Sequence, residues 1–97
     1  MVFDKSPNRD VVVWTAMIDG YGKTGNVENA RALFDEMPER NTISWSVMMA
    51  AYSWVNDFRE MLSLFRQMQE AGTKPNESVL VSVLTASAHL DAVTQRL

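Results

Sequence analysis

The sequence predicts an all-α fold, a solenoid of antiparallel helix-turn-helix hairpins. Three observations carry this. The chain repeats itself at a fixed offset, its apolar residues recur at helical spacing, and glycine, asparagine and proline sit where the hairpins must turn or stop. Slid by 31 residues, Trp14 falls on Trp45, Met17 on Met48, Ile18 on Met49 and Tyr21 on Tyr52. Val27 then meets Phe58, Leu33 meets Leu64, Phe34 meets Phe65, and Met37 meets Met68.

The chain opens on an echo of its own middle. Phe3, Asp4, Pro7 and Arg9 recur as Phe34, Asp35, Pro38 and Arg40, so residues 1–10 read as the tail of a preceding unit. The first full unit is 11–41. Trp14, Met17, Ile18 and Tyr21 stand at i, i+3, i+4 and i+7, the stripe of an amphipathic helix. Val27, Ala30, Leu33, Phe34 and Met37 form a second stripe. Between them, Gly25 suits a left-handed helix end and Asn26 the N-cap of the next helix. Pro38 stops that helix.

The second unit, 42–76, carries Trp45/Met48/Met49/Tyr52 and Phe58/Met61/Leu64/Phe65/Met68. Its turn differs, with Asp57 as candidate N-cap, and its end is longer, with Gly72 as a helix stop and Pro75 as a linker residue. A third unit starts at Glu77 and runs to residue 97. Leu80, Val83 and Leu84 repeat the stripe of Trp45, Met48 and Met49, and Ala92-Val93 are expected to open a second helix that the chain ends before completing.

Composition narrows the function. With 46% hydrophobic and 22% charged residues, the 97-residue chain falls in the range of ordinary globular domains. It has no cysteine, which removes disulfides, thiolate metal sites and cysteine nucleophiles. The net charge is −3 and the pI about 5.0, against a purely electrostatic nucleic-acid clamp. No run of 18 apolar residues exists, so no membrane span is expected. The Met1-Val2-Phe3-Asp4 start matches neither a signal nor a transit peptide. His89 is the single histidine and has no ligand constellation around it, so no metal is expected. Asp and Glu are scattered on polar faces and suggest no acid/base pair. The expectation is a non-enzyme without cofactor.

Hairpin units of 31 and 35 residues, with VVVWTAMIDGYGKTGNVENARALFDEMPERN followed by an ending EAGTKPN, closely resemble pentatricopeptide repeats. The tetratricopeptide repeat fits less well, because its pattern places Leu-Gly where Met17-Ile18 stand. The mixed lengths resemble the plant PLS subclass, with 11–41 similar to a short repeat, 42–76 to a standard repeat and 77–97 to the start of a long one. The resemblance implies a right-handed superhelix that binds single-stranded RNA, about one base per repeat.

It also implies roles for individual residues. The fifth and last residues of each repeat form the reading pair: Thr15 with Asn41, and Ser46 with Asn76. A hydroxyl beside a carboxamide is similar to the family's adenine-preferring combinations, so two adjacent adenines are expected. Asp10 is the last residue of the preceding unit, its partner missing. Val12 and Ile43 are expected to sandwich the bases. Ser78 departs from that apolar pattern, and Val81, at the fifth place of the third unit, carries no code. Lys23 stands where the family places a basic residue near phosphate, and Trp54 replaces it in the second unit.

The resemblance further implies an organellar RNA editing or processing factor, in mitochondrion or chloroplast, with accessory editing proteins as partners. Deaminase chemistry needs His-x-Glu and Cys-x-x-Cys, which this chain lacks. The alternative is a protein-interaction module or scaffold. Read without the family, Thr15, Ser46, Asn41 and Asn76 are also ordinary cap and turn residues. Trp54 reads as partly packed at a hairpin end. Repeat arrays need neighbours, so exposed apolar ends and self-association are expected.

Overall fold

The helices start and stop where local caps place them. The structure is a computed structural model that describes the backbone of residues 7–95 and the side chains of residues 11–91. The order is α1 (Pro7–Lys23), α2 (Val27–Glu36), α3 (Thr42–Trp54), α4 (Phe58–Glu70) and α5 (Glu77–Gln95). No strand occurs among the described residues.

Three helix ends share one device. After α1, the Asn26 N–H donates to Tyr21 O (2.9 Å) and the Gly25 N–H to Gly22 O (3.1 Å). The same pair of bonds closes α3 at Asn56 and Asp57, and α4 at Gly72 and Thr73. This is the Schellman arrangement, which needs a left-handed residue after the helix. Gly25 and Gly72 supply it at φ +79°, and Asn56 at φ +62°. The two hairpin turns look different in sequence but share this conformation, since asparagine tolerates the left-handed region better than most residues.

The helix starts divide. Asp57 caps α4 by accepting from the Glu60 N–H (3.3 Å), as the sequence suggests. Asn26 occupies the N-cap of α2 but makes no side-chain cap bond. Asn41 closes a full capping box on α3: its Oδ1 accepts from the Ser44 N–H (2.9 Å), and its own N–H donates to Ser44 Oγ (2.9 Å). Helix α1 begins at Pro7, so residues 7–10 are continuous with its first turn. Proline is pre-set for that position.

The helices stack in two layers. α1, α3 and α5 contact one another in sequence, and α2 and α4 pack behind them. The extents are 56 × 28 × 19 Å. The radius of gyration is 14.3 Å, against about 12.5 Å for a compact chain of this length. The molecule is therefore elongated, as an all-α solenoid segment should be.

Middle helix α3 is covered on both sides. It buries Ser44, Met48 and Ala51 as well as Trp45, Met49 and Tyr52. The outer helices each bury fewer than half of the equivalent positions. α1 buries Val11 and Ile18, equivalent to Thr42 and Met49, while Met17 is 41% exposed although its equivalent Met48 is fully buried. α5 buries Val79 and Ala86, equivalent to Ser44 and Ala51. Leu80 and Leu84, expected in the stripe, are exposed, Leu84 at 70%. Their equivalents, Trp45 and Met49, lie on the face that α5 leaves bare.

The expected second helix at Ala92-Val93 does not form; α5 runs unbroken to Gln95. No glycine or proline interrupts residues 77–95, so nothing local ends the helix. No helix among the described residues is long and apolar enough to cross a membrane.

Two arginines stitch the units together. Arg31 on α2 bonds Asp35 (2.9 Å), the Tyr52 hydroxyl (3.1 Å) and Glu60 (3.3 Å) on the following hairpin. Burial pulls the Arg31 pKa down, but bonds to Asp35 and Tyr52 outweigh it and hold the guanidinium above its ordinary value. Burial likewise pushes the Tyr52 phenol up, against the opposing pull of Arg31. Arg40 folds back over α2, donating from Nε and Nη2 to Phe34 O (3.0 and 2.9 Å). Its guanidinium lies 4.5 Å from the Phe34 ring centre and 5.6 Å from that of Trp45. Phe34 meets Trp45 edge to face at 4.9 Å.

Candidate functional site

The side chains singled out for base reading come from the α1–α3–α5 layer, Asn41 and Asn76 at helix starts and Thr15 and Ser46 within α1 and α3. On α1, the helical period puts Val12, Thr15 and Asp19 on one stripe. On α3, the capping box fixes Asn41 at the first turn and sets Ile43 just beyond it. Because α1 and α3 pack side by side, these residues converge. Val12, Thr15, Asn41 and Ile43 line one open cleft of about 410 Å³, with Val11, Ala16, Asp19 and Val47.

The cleft has apolar sides and a few polar groups. Val12 and Ile43 stand out at 65% and 58% exposure. Thr15 is half-buried, and its Oγ1 is buried without a hydrogen-bond partner. A buried hydroxyl with no partner is uncommon and marks a group with unused capacity. Asn41 is divided in its roles. Oδ1 is committed to the cap, which fixes the amide plane and leaves the Nδ2 hydrogens for another acceptor. The ordinary reading of Asn41 as a cap is therefore correct, and it does not use up the residue.

The second pair has the same chemistry on the next two helices. Ser46 is half-buried on α3. Asn76 caps α5, its Oδ1 accepting from the Val79 N–H at 2.9 Å, so its Nδ2 is presented as that of Asn41 is. The Thr42 hydroxyl donates to Lys74 O (2.9 Å) and ties the start of α3 to the linker before α5. Ser78 and Val81 lie exposed on α5. The side chain of Asp10 lies outside the described residues.

Lys23 does not point freely at solvent: its Nζ pairs with Asp19 Oδ2 at 2.9 Å, one helical turn back. The pair is exposed, so it adds little stability and can exchange for another anion. Trp54, expected to be partly packed, is 68% exposed. It stands at the mouth of a second hollow of about 250 Å³, with Asp19, Gly22, Lys23, Val47, Ala50 and Ala51. Asp19 was missed by sequence reasoning, although it lines both spaces; its place one turn after Thr15 was the available signal. His89 has a structural task, stacking on Phe58 at 4.5 Å and 16° and joining α4 to α5. No group of three or more metal-ligating side chains occurs among the described residues.

Comparison with known proteins agrees with this architecture. A sequence profile described as the PPR repeat family matches residues 40–89, about half of the chain, and one described as PPR repeat matches residues 12–42. The chain is also 56% identical over 32 residues to a pentatricopeptide repeat-containing protein of Arabidopsis thaliana. That match covers 33% of this chain and spans 5% of the relative's length.

Proposed function

The chain belongs to the pentatricopeptide repeat family, and on that premise we propose that it is a stretch of a single-stranded RNA reader in which each hairpin takes one base. One observation supports this above the others: Val12, Thr15, Asn41 and Ile43 share a cleft in which two polar groups have unused hydrogen-bonding capacity. Asn41 Nδ2 donates to adenine N1, and the Thr15 hydroxyl, turned out of its buried position, accepts from the adenine amino group. Val12 and Ile43 hold the two faces of the base. Ser46 and Asn76 repeat this for the neighbouring base, giving a preference for two adjacent adenines.

The acidic charge of the chain gives stacking and hydrogen bonding a larger share than phosphate contacts, with Lys23 as the phosphate contact of the first unit. The chain is not itself an enzyme. Its parent is a PLS-type factor for RNA editing or processing in mitochondrion or chloroplast, with accessory editing proteins as partners. The test is a titration of this segment, set between standard repeats at fixed salt, against RNA carrying AA or GG opposite its two units. AA is expected to bind at least tenfold more tightly, from ~1–3 kcal/mol for each correctly paired base edge. Equal binding contradicts the reading. A protein-docking scaffold is the second reading, favoured by the bare Leu80, Val81 and Leu84 of α5. On that reading, Asn41 and Asn76 substitutions change no partner.

A further inference from the structure

We propose that the hollow between the C-terminal halves of α1 and α3 is a second, sequence-tolerant nucleotide subsite, in which a base of the bound strand stacks on Trp54. The proposal rests on the RNA reading above. Four features of the hollow lead to it. Its floor is built from Gly22, Ala50 and Ala51, so a flat slot remains where larger side chains would fill the space. Gly22 and Ala51 bring α1 and α3 so close that a Cβ on Gly22 would meet the Ala51 Cβ at 2.7 Å. The floor of the hollow is therefore closed by the packing of α1 on α3. One wall is an exposed indole, the aromatic face on which any base can stack.

The hollow is also continuous with the Thr15–Asn41 cleft, since Asp19 and Val47 line both. Thr15 to Lys23 and Ser46 to Trp54 are eight-residue steps, about 12 Å along each helix. A strand whose base enters the cleft thus runs on across the hollow. Asp19 and Lys23 neutralise one another at its edge, so the slot carries no net charge of its own. Its Trp54 wall holds a base by stacking, while Lys23 at its edge, on leaving Asp19, takes the adjoining phosphate. Trp54 also stands where the first unit has Lys23, so adjacent units hold the strand in different ways, one by charge and one by an aromatic face.

The test uses the whole chain, with oligoadenylate, oligouridylate and an abasic ribose-phosphate oligomer of equal length as probes. Trp54→Ala should weaken both base-bearing oligomers about 5- to 150-fold, the equivalent of ~1–3 kcal/mol for a stacked base. Trp54→Phe should retain most of the affinity. The dependence on salt should not change, and the abasic oligomer should not distinguish Trp54 from Ala. Asn41→Asp should alter the choice between bases and leave the Trp54 contribution intact.

If Trp54→Ala binds all three oligomers like the native chain while Asn41→Asp still alters base choice, the subsite is wrong and the RNA reading stands. If the native chain binds no RNA, both fail together. Trp54 fluorescence that responds to an acidic aromatic peptide and not to RNA assigns the hollow to a protein and overturns the proposal.

Discussion

Arg40 is the residue of the inter-repeat linker whose removal should cost most. In an RNA-binding family an exposed arginine invites a phosphate role, but here the guanidinium is occupied. Its Nε and Nη2 donate to Phe34 O at 3.0 and 2.9 Å, and Nη2 also reaches Asp35 O at 3.3 Å. These carbonyls belong to the last turn of α2, where Phe34 O also accepts from the Met37 N–H at 3.3 Å. The positive charge complements the negative end of that helix. The same group lies over Phe34 and near Trp45.

Charge-assisted bonds contribute about 1.5–3 kcal/mol, and the lower end applies to an exposed group. An exposed cation–π contact adds about 0.5–1 kcal/mol. Arg40→Ala should therefore cost about 2 kcal/mol. At about 4–8 °C per kcal/mol for a domain of this size, the melting temperature should fall by about 8–16 °C. Arg40→Lys keeps the charge but cannot make the planar fork, so it should recover less than half of the loss. Thermal unfolding followed by circular dichroism measures both. A fall of less than about 2 °C for Arg40→Ala would refute the reasoning, as would a marked loss of salt dependence in RNA binding without a loss of stability.

Four further expectations concern the scaffold. Gly22→Val should destabilise by about 1–3 kcal/mol through overpacking against Ala51. Gly20→Ala, on the same helix with nothing within 4 Å of the added carbon, should stabilise by about 0.5–1 kcal/mol; denaturant midpoints separate the two. Asn56→Ala should cost about 1 kcal/mol because φ +62° suits asparagine or glycine. The Tyr52 pKa is raised in the folded state, so its contribution is present below pH 10 and is lost as pH rises through the higher folded value. Tyr52→Phe should remove this alkaline loss in a pH series of unfolding midpoints.

The periodicity of large apolar residues made the hairpins and much of the core legible. Ile18, Phe34, Met49, Met61, Leu64 and Met68 are buried as their spacing indicates. What it could not show is which face of an outer helix stays covered, because burial there depends on a neighbouring unit. Met17 and Leu84 look identical to Met48 and Met49 in pattern and differ only in having no helix against them. Small and polar members of the interface, Ser44, Ala51 and Ala86, gave no hydrophobic signal, since close packing rather than size places them there. The candidate site was legible only through the family resemblance. By composition alone Asn41 is a cap, and its free amide hydrogens become visible once the capping box fixes Oδ1. Lys23 was read without its partner because an Asp one turn earlier is a common and weak signal.

The most direct measurement is the base preference of Asn41→Asp. Aspartate caps a helix as well as asparagine does, so α3 keeps its start and the fold is preserved. The substitution turns the two amide hydrogens at the cleft into an acceptor oxygen and adds one negative charge. Adenine presents an acceptor at N1, whereas guanine presents N–H donors at N1 and N2. The account predicts that binding opposite the first unit shifts from adenine to guanine while thermal stability stays unchanged. An unaltered preference for adenine, with stability unchanged, would contradict the claim that Thr15 and Asn41 read the base.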